Sequence, residues 1–208
     1  MTSYQRCGRF VTSRIHELAQ KPDRLSPTGR AALANLRRGV GKVPGSVPQI
    51  WQFTLNDQER PGGLSGEREE AAVHVALTHW AMHQQSKTRP MHTDSHTFGA
   101  ALRLLASTQN RREPQKTPVY SRMMALASSR ALIGITTHAR GLIGQLRAAG
   151  IGFDYGRWAD DLYWVQIPGR MPSVQRRWGQ DFFRLRDDQI DAYLDTDSAN
   201  ALDEGALS

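Results

Sequence analysis

One cysteine, Cys7, stands in 208 residues, which excludes an internal disulfide and a cysteine-rich zinc site. A reducing cytoplasm is the expected setting, with Cys7 a bystander near the N-terminus. No apolar run approaches the roughly eighteen residues a membrane span needs, and the N-terminus lacks the apolar core of a signal peptide. The chain is therefore expected to be soluble, unsecreted and unanchored. No HExxH pattern occurs among the histidines. Acid is almost missing from one stretch: between Ala101 and Gly150, Glu113 is the sole Asp or Glu.

What fills that stretch is cation. It carries Arg103, Arg111, Arg112, Lys116, Arg122, Arg130, Arg140 and Arg147, together with enough Leu, Ile, Met and Ala to build helices. Such a segment folds on one side and offers charge to a polyanion on the other. The net charge of +7 hides a pattern: residues 1–50 carry +7, 51–100 carry −2, 101–150 carry +7 and 151–208 carry −5. Arginine far outnumbers lysine, which favours bidentate phosphate contacts. At 39% hydrophobic residues, the chain has enough apolar material for one sizeable core or two small ones.

The periodicity predicts helices throughout. Phe10, Val11, Ile15, Leu18 and Ala19 make an apolar stripe between Tyr4 and Gln20, ended by Lys21-Pro22. Ser26-Pro27 reads as a cap and first helical proline, and that helix ends at Arg37-Arg38-Gly39, where two arginines suit the dipole even if they bind nothing. After a Gly/Pro loop, Pro48 opens a short helix or turn with Ile50, Trp51, Phe53 and Leu55 as core candidates. Residues 58–66 read as a loop, and Ser65 as the cap of a long helix with Ala72, Val73, Ala76, Leu77, Trp80 and Ala81 inward.

Further helices are expected over Thr97 to Thr108, after Thr117-Pro118, through Leu132 to Ala149 with Gly150 as C-cap, from an Asp154 cap, and from a Ser173 cap with Val174, Trp178, Phe182 and Phe183 inside. Asn110 to Lys116 reads as a basic linker. The aromatics near the C-terminus sit at helical spacing and read as core rather than as stacking platforms for bases. The expected architecture is all-α, a two-lobed helical bundle of eight to nine helices. Its lobes span 1–108 and 109–190, with 191–208 an acidic, disordered tail.

The long helix also carries His74, His79 and His83, and the loop beyond it adds His92 and His96. Two spacings of four raise the question of a divalent metal. Matched carboxylates and cysteines are lacking, so exposed histidines on a polar flank are the expected explanation, with no metal, no cofactor and no catalytic residue.

Five segments carry a family resemblance. They are Leu36-Arg37-Arg38, Ser121-Arg122 to Arg130, Arg140 to Arg147, Tyr155 to Trp164, and Arg176-Arg177-Trp178-Gly179-Gln180-Asp181-Phe182-Phe183. In this order the chain resembles the CasB family, the small subunit of the type I-E CRISPR effector complex Cascade. The resemblance implies an all-helical, two-lobed, non-catalytic protein. It would be present as two copies on the belly of the complex beside the other Cascade subunits. There it would support the duplex of crRNA with target DNA and the displaced single strand, without reading sequence. Position by position it implies strand contacts at Arg37, Arg38, Arg122, Arg130 and Arg140, and a basic run at Arg170, Arg176 and Arg177. Arg103, Arg111, Arg112, Lys116 and Arg147 are candidates on charge alone. The 41–48 loop and the 110–116 linker depart from the family pattern. Two rivals carry different expectations: a free-standing helical DNA-binding regulator, and a metal nuclease using His74, His79 and His83.

Overall fold

Long amphipathic segments punctuated by proline, glycine and hydroxyl caps leave the chain one option, helix packed on helix. A computed structural model describes residues 6–19, 27–55, 66–186 and 188–193. The Lys21-Pro22 stop, the Ser26 and Ser65 caps, most of the 58–66 loop and residues 194–208 lie outside the described residues. The fold is all-α. Its elements are α1 (Arg6–Leu18), α2 (Pro27–Arg38), α3 (Trp51–Thr54), α4 (Glu67–His83), α5 (Phe98–Gln109), α6 (Pro118–Ser128), α7 (Leu132–Ala149), α8 (Tyr155–Trp164) and α9 (Met171–Arg184). Residues 188–193 add a further helical segment.

Helix ends follow local chemistry. Thr97 caps α5 by accepting from the Ala100 N–H at 3.3 Å, and Thr117 caps α6 through the Tyr120 N–H at 3.3 Å. Asp154 caps α8 through the Arg157 N–H at 2.9 Å. α7 ends where Gly150 takes a left-handed φ of 67°, so that Ile151 N–H can reach back to Leu146 O at 2.9 Å. Two ends differ from expectation. α4 starts from Gly66 with no side-chain cap, its first turn relying on Glu67, Glu69 and Glu70 against the dipole. α9 starts at Met171, one turn earlier than a Ser173 cap allows, because Pro172 fits the first helical turn, whose N–H groups have no intrahelical acceptor.

α4 is the strut. It packs against α1, α2, α7 and α8, while α5 packs against α6, α7 and α9, and α6 against α7. One core cluster runs through all of these elements, with Trp80, Trp158, Trp178, Tyr155, Phe153 and Phe182 as its largest buried side chains. Three expected core residues, Trp51, Leu55 and Phe183, are outside it. Trp51 is 44% exposed and donates its indole N–H to Gly45 O at 2.8 Å, and Phe183 is 59% exposed. Neighbouring helix residues lie about 100° apart, so the stripe of Val174, Trp178 and Phe182 that faces the core turns Phe183 away from it. The 110–116 linker holds a 3-10 turn, Pro114–Lys116.

The contact between α5 and α9 is a backbone contact. A Cβ at Gly99 would meet the Trp178 carbonyl oxygen well inside contact distance and Asp181 Cβ at 3.0 Å. Gly99→Ala is expected to push the two helices apart and lower stability by about 1–3 kcal/mol, as overpacking does. An unchanged urea midpoint for this variant would contradict that packing.

Candidate nucleic-acid interface

Arginine needs a carboxylate, a carbonyl or water to satisfy its donors, so arginines without internal partners define where an anion can be held. The last turn of α2 presents Arg37, partly exposed, and Arg38, exposed. α7 presents Arg140 and Arg147, seven residues apart and so nearly in line along the helix. The fold brings these two helices to the same side of α4. Arg37 lies close enough to Arg147 that, after burial, the charge of Arg147 is the second cause holding its pKa below the usual value. Arg147 donates to Gln85 Oε1 at 3.1 Å. Arg140 arches over the 41–44 loop, its Nη1 3.6 Å from where a Cβ on Gly41 would stand. Among the described residues, no carboxylate pairs with Arg37, Arg38, Arg140 or Arg147.

Two cations join this face that the charge pattern of the sequence did not single out. Lys42 and Arg140 line a cleft of about 430 Å³ between the 41–44 loop, α4 and α7, with Val43, Val75 and Ile133 as apolar walls. Lys87, in the loop after α4, is near enough to depress the pKa of His83. Like charges set together without carboxylates repel one another, and a polyanion relieves that repulsion.

The histidines are the largest correction. His74, His79 and His83 are buried, not exposed on a polar flank, because α4 is enclosed by four helices and has no polar flank there. His74 Nε2 donates to Gly39 O at 3.0 Å, His83 Nδ1 meets Tyr155 Oη at 3.0 Å, and the His79 ring stacks on Trp158 with centroids 6.5 Å apart. Burial drives the pKa of His79 down to about 3, helped by Arg140 and His74; burial likewise drives His83 to about 3, helped by Lys87 and Arg147. Neutral imidazoles thus lie beneath a cationic face. Among the described residues, no group of three or more His, Cys, Asp or Glu is arranged to hold a metal ion.

The remaining candidates fall in two other places. Arg122 on α6 and Arg130 after it are exposed, and Gln175 Nε2 donates to Ser129 O at 3.1 Å, which brings the α9 turn carrying exposed Arg176 against the Arg130 turn. Arg170 stands over the Trp164 ring at 5.2 Å. Arg177 faces a partner inside the protein: its Nη2 donates to Asp161 Oδ1, while Trp178 Nε1 donates to Asp161 Oδ2 at 2.6 Å. Arg103, Arg111 and Arg112 line a separate cleft with Phe183. There the Arg103 guanidinium lies 5.9 Å from the Phe182 ring centroid and Arg111 pairs with Asp191 at 2.7 Å. Lys116 pairs with Glu113.

A family model, that of CRISPR-associated protein Cse2, matches residues 32–183, well over half of the chain. The chain belongs to the Cse2 family. This is the CasB family of the resemblance above. A crystal structure of CasB from Thermobifida fusca is 31% identical, with 86% of this chain and 99% of that chain covered and a TM-score of 0.72. CasB from Thermus thermophilus is 22% identical over 87% and 99% of the two chains at a TM-score of 0.65. A chain of a CRISPR RNA-guided surveillance complex is 18% identical over 91% and 98% at a TM-score of 0.61. These last two share the fold with this Cse2-family chain. No curated protein matches it in sequence. No helix among the described residues is long and apolar enough to cross a membrane.

Proposed function

We propose that this Cse2-family chain is the non-catalytic small subunit of a cytoplasmic Cascade complex, and that it holds nucleic-acid backbone without reading sequence. The observation that carries the reading is the face formed by Arg37, Arg38, Arg140 and Arg147, cations from two helices with no carboxylate beside them among the described residues. The likeness to a chain of a CRISPR RNA-guided surveillance complex supports the setting. Its partners are the other Cascade subunits, a second copy of the chain, crRNA, target DNA and the displaced strand. Sequence discrimination is left to guide–target pairing, and the protein stabilises the duplex and the displaced strand through phosphates. Arg122, Arg130 and Arg176 extend the contact on another part of the surface. Arg177 contributes less, since its guanidinium is already engaged by Asp161.

Cations drawn from several helices follow a backbone rather than enter a groove as one recognition helix would. The test is a salt titration of binding to duplexes and single strands of unrelated sequence. The Arg140→Ala/Arg147→Ala variant is expected to flatten the log–log salt slope by about one to two units and to weaken every sequence alike. Unchanged affinity and slope would remove these residues from the interface. A consensus recovered from random duplexes would instead favour the free-standing regulator.

A further inference from the structure

An exposed phenylalanine among arginines is the feature that backbone binding does not explain. Phe183 ends the aromatic run of α9 yet is 59% exposed. It borders a cleft of about 660 Å³ whose other walls are Arg103, Arg111, Arg112, Pro114 and Gln115. The ring is not loose. Tyr120 meets it edge-on with centroids 6.1 Å apart and planes at 70°, and Phe182 meets it at 5.2 Å and 74°. Two edge contacts from neighbouring rings fix its orientation. Arg112, exposed beside it, supplies positive charge at the mouth, whereas Arg111 is already paired with Asp191.

A fixed, solvent-facing aromatic ring flanked by arginines suits one chemistry well: the π face of an unpaired nucleobase, with the adjoining phosphate on a guanidinium. A protein partner would need acidic side chains beside an apolar anchor. A single strand brings anion and flat ring together in every nucleotide, which matches the alternation of Arg112 and Phe183. We propose that the cleft bounded by Phe183 and Arg112 is a base-stacking subsite for single-stranded nucleic acid, separate from the Arg37/Arg140/Arg147 face. This rests on the nucleic-acid reading above and adds to it a preference for unpaired strands.

The full chain is titrated by fluorescence anisotropy with an oligothymidine, an abasic strand of the same length and phosphate count, and a duplex. Wild type is expected to bind the oligothymidine tighter than the abasic strand. Phe183→Ala is expected to lose roughly tenfold on the oligothymidine, with its salt slope unchanged and its affinity for the abasic strand and the duplex intact. Phe183→Tyr restores the loss. Arg112→Ala flattens the single-strand slope by about 0.7. The proposal is overturned if Phe183→Ala binds the oligothymidine like wild type, which would leave the ring to a protein partner, or if it loses the abasic strand equally, which would make the effect structural. Wild type that binds none of the three ligands at low salt would sink the nucleic-acid reading itself, and is thereby distinguished from failure of the subsite alone.

Discussion

Asp161→Ala is expected to lower stability by about 2–3 kcal/mol, toward the upper end of ordinary single substitutions. Asp161 lies on α8 at 8% exposure and is the acceptor for two groups of α9, the Arg177 guanidinium and the Trp178 indole N–H. Trp178 is itself buried, so removing the carboxylate strands its N–H in the core, with a desolvation penalty of about 1–3 kcal/mol. The Arg177 side chain is 44% exposed and can turn to water, which keeps its share of the loss small. For a chain of this size the melting temperature falls by several degrees, roughly 2–4 °C for each kcal/mol. Asp161→Asn keeps an acceptor for Trp178 and loses less. Urea unfolding checks both, and an Asp161→Ala midpoint equal to wild type would show that α8 and α9 do not depend on this clamp. The pair also separates stability from binding. Arg177→Ala leaves the Trp178 bond to Asp161 in place, so it is expected to lose less stability than Asp161→Ala and to cost less nucleic-acid affinity than Arg140→Ala.

That distinction was not available from the run RRWxxDFF, in which Arg176 and Arg177 read alike. Their helix positions differ by 100°. Only the arrival of α8 beside α9 makes one a solvent-facing cation and the other a bridge to Asp161. The helices themselves were legible because their signals are local: Thr97, Thr117 and Asp154 as caps, Gly150 as the left-handed stop, apolar residues stepping by three and four. The 174, 178, 182 stripe already implies that Phe183 points elsewhere. The alignment of Arg140 with Arg147 is likewise a property of one helix. Their meeting with Arg37, and the addition of Lys42 and Lys87 from loops, depend on how α2, α4 and α7 pack. The histidines misled for the same reason. Periodicity assigns one buried stripe to α4, whereas four surrounding helices bury nearly its whole circumference.

Lowering the pH from 7 to 5.5 is expected to destabilise the chain by on the order of 3 kcal/mol, through histidines that are neutral when folded and charged when unfolded. Burial first, and neighbouring cations second, hold His79 and His83 at about 3; burial, then His16, holds His92 at about 4 against Asp94 and the Phe153 carbonyl, which raise it. Geometry agrees. His92 Nδ1 accepts from the Tyr155 N–H at 3.1 Å, and a proton there would set donor against donor. The unfolded chain therefore binds more protons below the ordinary histidine pKa of 6.5, and stability contributed by these three groups is full above that value and lost as the pH falls. Asp161 works the other way. Burial raises its carboxyl to about 6 despite the opposing pull of Arg177 and Trp178, so its folded form gains a proton first and stability rises as the pH drops through that range. These three histidines alone outweigh Asp161 by about two protons on unfolding near pH 5.5, and His74 and His96, both lowered by burial, add uptake of the same sign. Urea midpoints across this range measure it, and His92→Gln should reduce the uptake by about one. Stability that holds steady or climbs toward pH 5.5 would contradict the neutral core. Because His79 and His83, on α4 near Arg140 and Arg147, stay neutral in the folded chain down to about pH 3, the nucleic-acid face gains no charge from them at pH 5.5, and the loss there is one of stability alone.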